Sequence, residues 1–132
     1  MVAGADVTEL NNGDIMITYV QNDASDYVRY IVLSGTDYSV IAGPTTVHGA
    51  LTYGCGVCQL LSGVIFICYV DRADSDKGKF ILLNEDYSTR QSETTFHNAD
   101  TTYAVACDFL DDTKVVITYQ DADDSNKGKY VV

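Results

Sequence analysis

Leu60-Leu-Ser-Gly-Val-Ile-Phe-Ile-Cys-Tyr69 decides the reading of this chain, because its pattern is written three times. Leu10-Asn-Asn-Gly-Asp-Ile-Met-Ile-Thr-Tyr19 precedes it and Leu110-Asp-Asp-Thr-Lys-Val-Val-Ile-Thr-Tyr119 follows it, so the leucines and the tyrosines each recur at intervals of 50. A fixed period of about 20–50 residues marks a repeat architecture. The register continues outward. Asp71–Phe80 returns as Asp121–Tyr130, with the looser Gln21–Tyr30 in the first unit. Asp37-Tyr38-Ser39 returns as Asp86-Tyr87-Ser88, and Thr46-Val47-His48 as Thr95-Phe96-His97. One repeat domain over 1–132 follows, with units at about 1–50, 51–100 and 101–132, the last cut after its third strand.

Each unit reads as four short strands. The first strands are 3–10, 54–61 and 104–110, and the second 14–20, 64–70 and 114–120. The third are 27–33, 79–83 and 129–132, and the fourth 39–47 and 88–96. Asn12-Gly13, Ser62-Gly63 and Asp111-Asp112 punctuate the first hairpins, as short β-turns require. No window carries a sustained 3.6-residue apolar period, so helix is expected to be nearly absent.

Two features separate this pattern from a sandwich. The second strand is apolar on both faces: Ile65, Ile67 and Tyr69 alternate with Phe66, Cys68 and Val70. A sheet with one wet face would place polar residues at every second position. The first strand is rich in small residues, Gly54-Cys55-Gly56 and Ala104-Val105-Ala106-Cys107, which suits crowding round an axis. Leu at Gly56 or Ala104 is therefore expected to overpack. Sheets covered on both faces, with a small-residue inner strand, predict an all-β fold of four-stranded antiparallel β-propeller blades. About three blades per chain are too few for a closed ring, so oligomerisation, first of all a homodimer with six blades, is expected to complete it.

The repeat resembles the L-x-N-G-x-x-x-I-x-Y-x-D-x-x-x-S-x-x-G-x-[FY] repeat of bacterial and phage-associated, lectin-like propeller proteins. Leu60, Gly63, Ile67, Tyr69, Asp71, Ser75, Gly78 and Phe80 carry it in the second unit. Leu10, Gly13, Ile17 and Tyr19 carry it in the first, and Leu110, Ile117, Tyr119, Asp121, Ser125, Gly128 and Tyr130 in the third. The likeness implies a fold and no activity.

Composition narrows the partners. Nineteen acids against eight bases give a net charge of −11, which argues against nucleic acid and anionic membrane surfaces. No apolar run approaches a membrane span and no signal peptide is evident. Four cysteines fit free thiols in a reducing, cytoplasmic compartment better than a disulfide scaffold. Cys55 and Cys58 lie three apart on a strand and so face opposite ways, which does not suit one zinc ion.

Candidate chemistry centres on two groups. His48 and His97 close their units, with Tyr53 and Tyr103 opening the next ones, and these four are the candidate ligand-binding residues, for a glycan held between blades. Asp71, Asp74, Asp76, Asp121 and Asp123 form acidic turns that lack the spacing of a calcium loop, so no cofactor is expected, with calcium as the fallback. No clustered arginines or marked carboxylate pair point to a sialidase or another glycosidase. The function expected is a non-catalytic binding module, lectin-like. The alternatives are a purely structural self-assembling unit and, third, a glycosidase-like enzyme.

Overall fold

The computed structural model describes residues 4–21 and 26–132, the side chains of 101–103 excepted. The chain forms three antiparallel sheets. The first holds β1 (Ala5–Glu9), β2 (Ile15–Gln21), β3 (Tyr27–Leu33) and β4 (Val40–His48) in chain order. The second repeats this with β5 (Thr52–Gln59), β6 (Ile65–Asp71), β7 (Lys77–Leu83) and β8 (Thr89–His97). The third holds β9 (Thr101–Asp111), β10 (Lys114–Asp121) and β11 (Lys127–Val131). The one departure from strand and turn among the described residues is a 3-10 turn at Arg72–Asp74.

Strand ends differ slightly from expectation. β5 starts at Thr52 and β9 at Thr101, earlier than the small-residue runs suggested, whereas β1 begins at Ala5. Ala3, included in the expected first strand, lies outside the described residues. The turns follow their chemistry. Gly13 and Gly63 sit at φ +86° and +87°, and each donates its N–H to the carbonyl of the leucine three residues back. Only glycine enters that left-handed region without strain. The resulting three-residue hairpin sets the register Glu9↔Ile15 and Gln59↔Ile65.

Packing explains the two-faced second strand. Every residue of β6 is buried. Its alternating side chains serve two different cores. Ile65, Ile67 and Tyr69 join Met16, Val20, Val28, Tyr30 and Val32 of the first unit, with Cys55, Val57, Ile81 and Leu83 of the second. Phe66, Cys68 and Val70 join Val105 and Ile117 of the third unit. Each core is thus a boundary between units rather than the inside of one. Cys55 falls in the first core and Cys58 in the second, as opposite-facing strand residues must. Burial pushes the Cys55 thiol up to about 11, so it stays protonated and acts as a small apolar group.

Contacts between neighbouring units are densest at the first strands and thin out toward the fourth. The small residues of those strands permit the approach. A Cβ on Gly56 would stand 3.0 Å from Cys68 Sγ and 3.1 Å from the Ala106 Cα and the Cys107 amide. A Cβ on Gly4 would meet the Gly54 Cα at 2.6 Å. Ala104 differs, since its side chain is exposed on the free side of the third unit. Gly56→Leu is therefore expected to lower unfolding free energy by about 1–3 kcal/mol, read from urea midpoints, and Ala104→Leu to leave them nearly unchanged. An unchanged midpoint for Gly56→Leu would contradict close packing of the first strands.

Candidate functional site

The sharpest cluster of titratable groups lies where the first unit meets the second. Lys79 on β7 places Nζ 2.7 Å from Asp71 Oδ2, 2.7 Å from Glu93 Oε1 and 2.9 Å from Asp74 Oδ2. Its side chain is 8% exposed and that of Asp71 4%, so the pair is withdrawn from water. A buried charge left alone is costly, and three carboxylates around one ammonium satisfy its three donors. Asp71 uses its other oxygen to cap the 3-10 turn, accepting from the amides of Ala73 and Asp74.

The first unit contributes His48, the last residue of β4. Its Nδ1 lies 2.9 Å from Glu93 Oε2. Its Nε2 approaches Asp71 Oδ1 at 3.3 Å, though out of line for a hydrogen bond. The imidazole stacks on the Tyr69 ring at 5.1 Å, and the Tyr69 hydroxyl donates to Glu93 at 2.6 Å. Glu93 thus ties together the second strand, the third strand and the neighbouring unit.

Electrostatics follow from this geometry. Burial pushes the Asp71 and Glu93 carboxyls up, but bonds from Lys79, with the Tyr69 hydroxyl on Glu93 and the nearby imidazole, outweigh it. Both end below the usual carboxylate range. Burial pushes the Lys79 ammonium down, and its bonds to Asp71, Glu93 and Asp74 more than reverse that. Burial and the bond to Glu93 push the Tyr69 phenol up.

His48, Asp71 and Glu93 offer three donor atoms within 4.8 Å of one another, a spacing that could hold a metal ion. Lys79 already stands against both carboxylates, and a dication there would have to sit beside an ammonium. The donors present fit the lysine better than a metal. The other acids of the fallback calcium set are also turned to protein groups. Asp74 pairs with Lys77 and Lys79, Asp121 pairs with Lys129, and Asp123 accepts from the Asp100 amide at 3.3 Å. Asp76 differs: its Oδ1 is buried without a hydrogen-bond partner, and burial followed by the charge of Asp100 holds its carboxyl above the usual range.

His48 and Tyr53 are not brought together. His48 belongs to the first boundary. Tyr53 packs against the second core, with the Arg72 guanidinium 4.6 Å over its ring. His97 lies at the second boundary, 4.7 Å from the Tyr119 ring and 3.6 Å from Asp121. Tyr103 is in β9, and its side chain lies outside the described residues. Sequence reading missed Lys79, Glu93 and Tyr69. The recurrence of Lys79 as Lys129, in register with Asp71/Asp121 and His48/His97, was the available signal.

No protein family, curated protein or solved structure matches this chain. No helix among the described residues is long and apolar enough to cross a membrane.

Removing the ammonium tests the cluster. Lys79→Met is expected to cost about 3 kcal/mol, the low end for a broken buried pair because Glu93 keeps partial access to water. Lys129→Met, where the side chain is 36% exposed, should cost distinctly less. Equal losses in urea melts would contradict the burial argument. Acidity gives a second test. Carboxylates depressed by folding stabilise above their unfolded pKa near 4, and that stability is lost as pH falls through their folded values. Lys79, raised by folding, contributes fully below about pH 10. Urea midpoints should therefore be flat from about pH 6 to 9 and fall steadily below about pH 4. A midpoint unchanged at pH 2.5 would rule the cluster out as a source of stability.

Proposed function

We propose that this chain is a non-catalytic interaction module whose units are β-propeller blades, completed head to tail by a second copy. One comparison carries the reading. Tyr30, Phe80 and Tyr130 are repeat-equivalent and face the next unit. Tyr30 is 5% exposed in the first core, and Phe80 stacks on Phe66 at 4.8 Å in the second. Tyr130 is 74% exposed. Covering a side chain of this size stabilises by about 1.5–3 kcal/mol, so the third unit presents a face built for a neighbour. The first unit presents the opposite face. Ile15, Ile17 and Tyr19 are only half-buried, whereas their counterparts Ile65, Ile67 and Tyr69 are fully buried.

These two free faces are the two halves of the boundary that the chain already makes twice. A second copy can therefore dock its first unit on the third unit of the first, and the reverse contact closes the ring. Two chains supply six units, inside the range of about 4–8 blades for propellers. The titratable cluster supports a structural role, since its charges are spent on one another across a boundary. Carbohydrate stands second as a ligand class: His48 faces acids and Tyr53 faces Arg72, so a sugar would need another surface.

Light scattering at low micromolar concentration is expected to give twice the chain mass of 14.4 kDa. Ile17→Asp, on the free face of the first unit, should return the chain to monomer with an unchanged far-ultraviolet dichroism spectrum. A native chain that stays monomeric at tens of micromolar would overturn ring closure, and a saturable glycan-array signal from that monomer would favour the carbohydrate reading instead.

A further inference from the structure

Three of the four cysteines gather at one place in the fold. Cys58 of β5, Cys68 of β6 and Cys107 of β9 all belong to the core between the second and third units. The first boundary closes without them, since Thr8, Thr18 and Val57 hold the same repeat positions there. Packing between units therefore does not require sulfur. Cys55, on the opposite face of β5, belongs to the first boundary and donates to the Gly4 carbonyl at 3.5 Å.

The close approach of β5 to β9 brings the three thiols into contact. Cys68 Sγ and the Cys107 amide both flank the space that Gly56 leaves free, at 3.0 Å and 3.1 Å from a Cβ built there. The thiols bond in series: Cys58 donates to Cys107, and Cys107 donates to Cys68. Cys107 thus touches both of the others, and it is half-buried where they are buried. Its bond to Cys107 and then burial push the Cys58 thiol up. The bond from Cys58 pulls Cys107 down, but its own bond to Cys68 and burial outweigh that. Asp6 adds negative charge near both. Two thiolates in this core would be uncompensated buried charges, whereas a disulfide carries none.

We propose that Cys58 and Cys107 are a site of reversible oxidation, at which a disulfide joins the third unit covalently to the second. The oxidant is a peroxide, small and uncharged enough to reach a half-buried sulfur. The Cys107 thiolate attacks one peroxide oxygen and the O–O bond breaks. Cys107 becomes a sulfenic acid, and the departing hydroxide takes up the proton that Cys107 gave up. The Cys58 sulfur then displaces the sulfenic hydroxyl, which leaves as water with the Cys58 proton. Two thiols and one hydrogen peroxide give one disulfide and two waters, the sulfurs losing the two electrons that the peroxide gains. A small thiol reverses the step by exchange. The link closes a loop of about fifty residues, so it restricts the unfolded chain and stabilises the boundary. One chain supplies both cysteines, and the inference does not rest on ring closure.

The test treats the folded chain with hydrogen peroxide, then unfolds the quenched sample in an alkylating reagent and locates the link by fragment mass spectrometry. Cys58 should be joined to Cys107, with Cys55 and Cys68 alkylated. The urea midpoint of the oxidised chain should rise, and dithiothreitol should return it to its starting value. Because Cys107 is held protonated, the initial rate should climb about tenfold per pH unit between about pH 7 and 9, following the thiolate fraction. Cys58→Ala should abolish both the link and the shift. Cys68→Ala, which removes a buried thiol from the same core, should keep both. A link from Cys107 to Cys68, oxidation of Cys107 that stops at the sulfinic acid, or a link that forms only when the chain is first unfolded would overturn the proposal. A midpoint that falls on cross-linking would overturn it too.

Discussion

A β-strand with apolar side chains alternating onto both faces cannot lie in a sheet with a wet face. β6 is such a strand, and its burial between two other units governs the arrangement of the rest. Once one face of β6 packs on the first unit and the other on the third, the first strands must come close together. Close approach then demands glycine at Gly4, against the Gly54 backbone, and at Gly56, against the Ala106 backbone. Two cores follow, each shared between units, so no unit owns a complete hydrophobic interior. Stability in such an array belongs to the boundaries.

Polar chemistry is laid over the same boundaries. Hydrophobic contact alone is tolerant of sliding, whereas a lysine ringed by Asp71, Asp74 and Glu93, with His48 reaching in from the next unit, is satisfied in one register only. The cluster lies at the end of the second and third strands, where the apolar core gives way to the acidic turn. It therefore fixes how the fourth strand of one unit meets the second strand of its neighbour. Asp71 and Asp74, of the fallback calcium set, are the acidic half of this arrangement, and Lys77 and Lys79, just across the turn at the start of β7, are the other half.

The strands and their grouping into three antiparallel sheets were legible in the sequence because repeated residues keep their places along the strands. Leu10 and Leu60 enter the hairpin turns, whereas Leu110 stays within β9 and is exposed, and the alternation of Ile65 to Val70 announces two buried faces. The site was less legible. His48 was grouped with Tyr53 by nearness in sequence, yet its aromatic neighbour in space is Tyr69, reached across a unit boundary. Glu93 sits on the outermost strand, in a run of exposed polar residues, and nothing local marks it as the one that turns inward. Pairings between units obey the period of 50, so they are found by comparing repeat positions of opposite charge rather than by reading along the chain. The first unit shows how such a signal fades: Gln21 and Arg29 stand where Asp71 and Lys79 stand in the second.

The account turns on whether the free faces of the end units are covered in solution as the internal ones are. Methyl-resolved magnetic resonance with a soluble paramagnetic probe reads this residue by residue. Ile67 is fully buried at an internal boundary and Ile41 is 50% exposed on an outer strand, and the two bracket the response. The account expects the Ile17 methyl group, on the free face of the first unit, to be shielded as Ile67 is at tens of micromolar protein. Broadening of Ile17 to the extent seen for Ile41, with Ile67 still shielded, would show an open stack and contradict it.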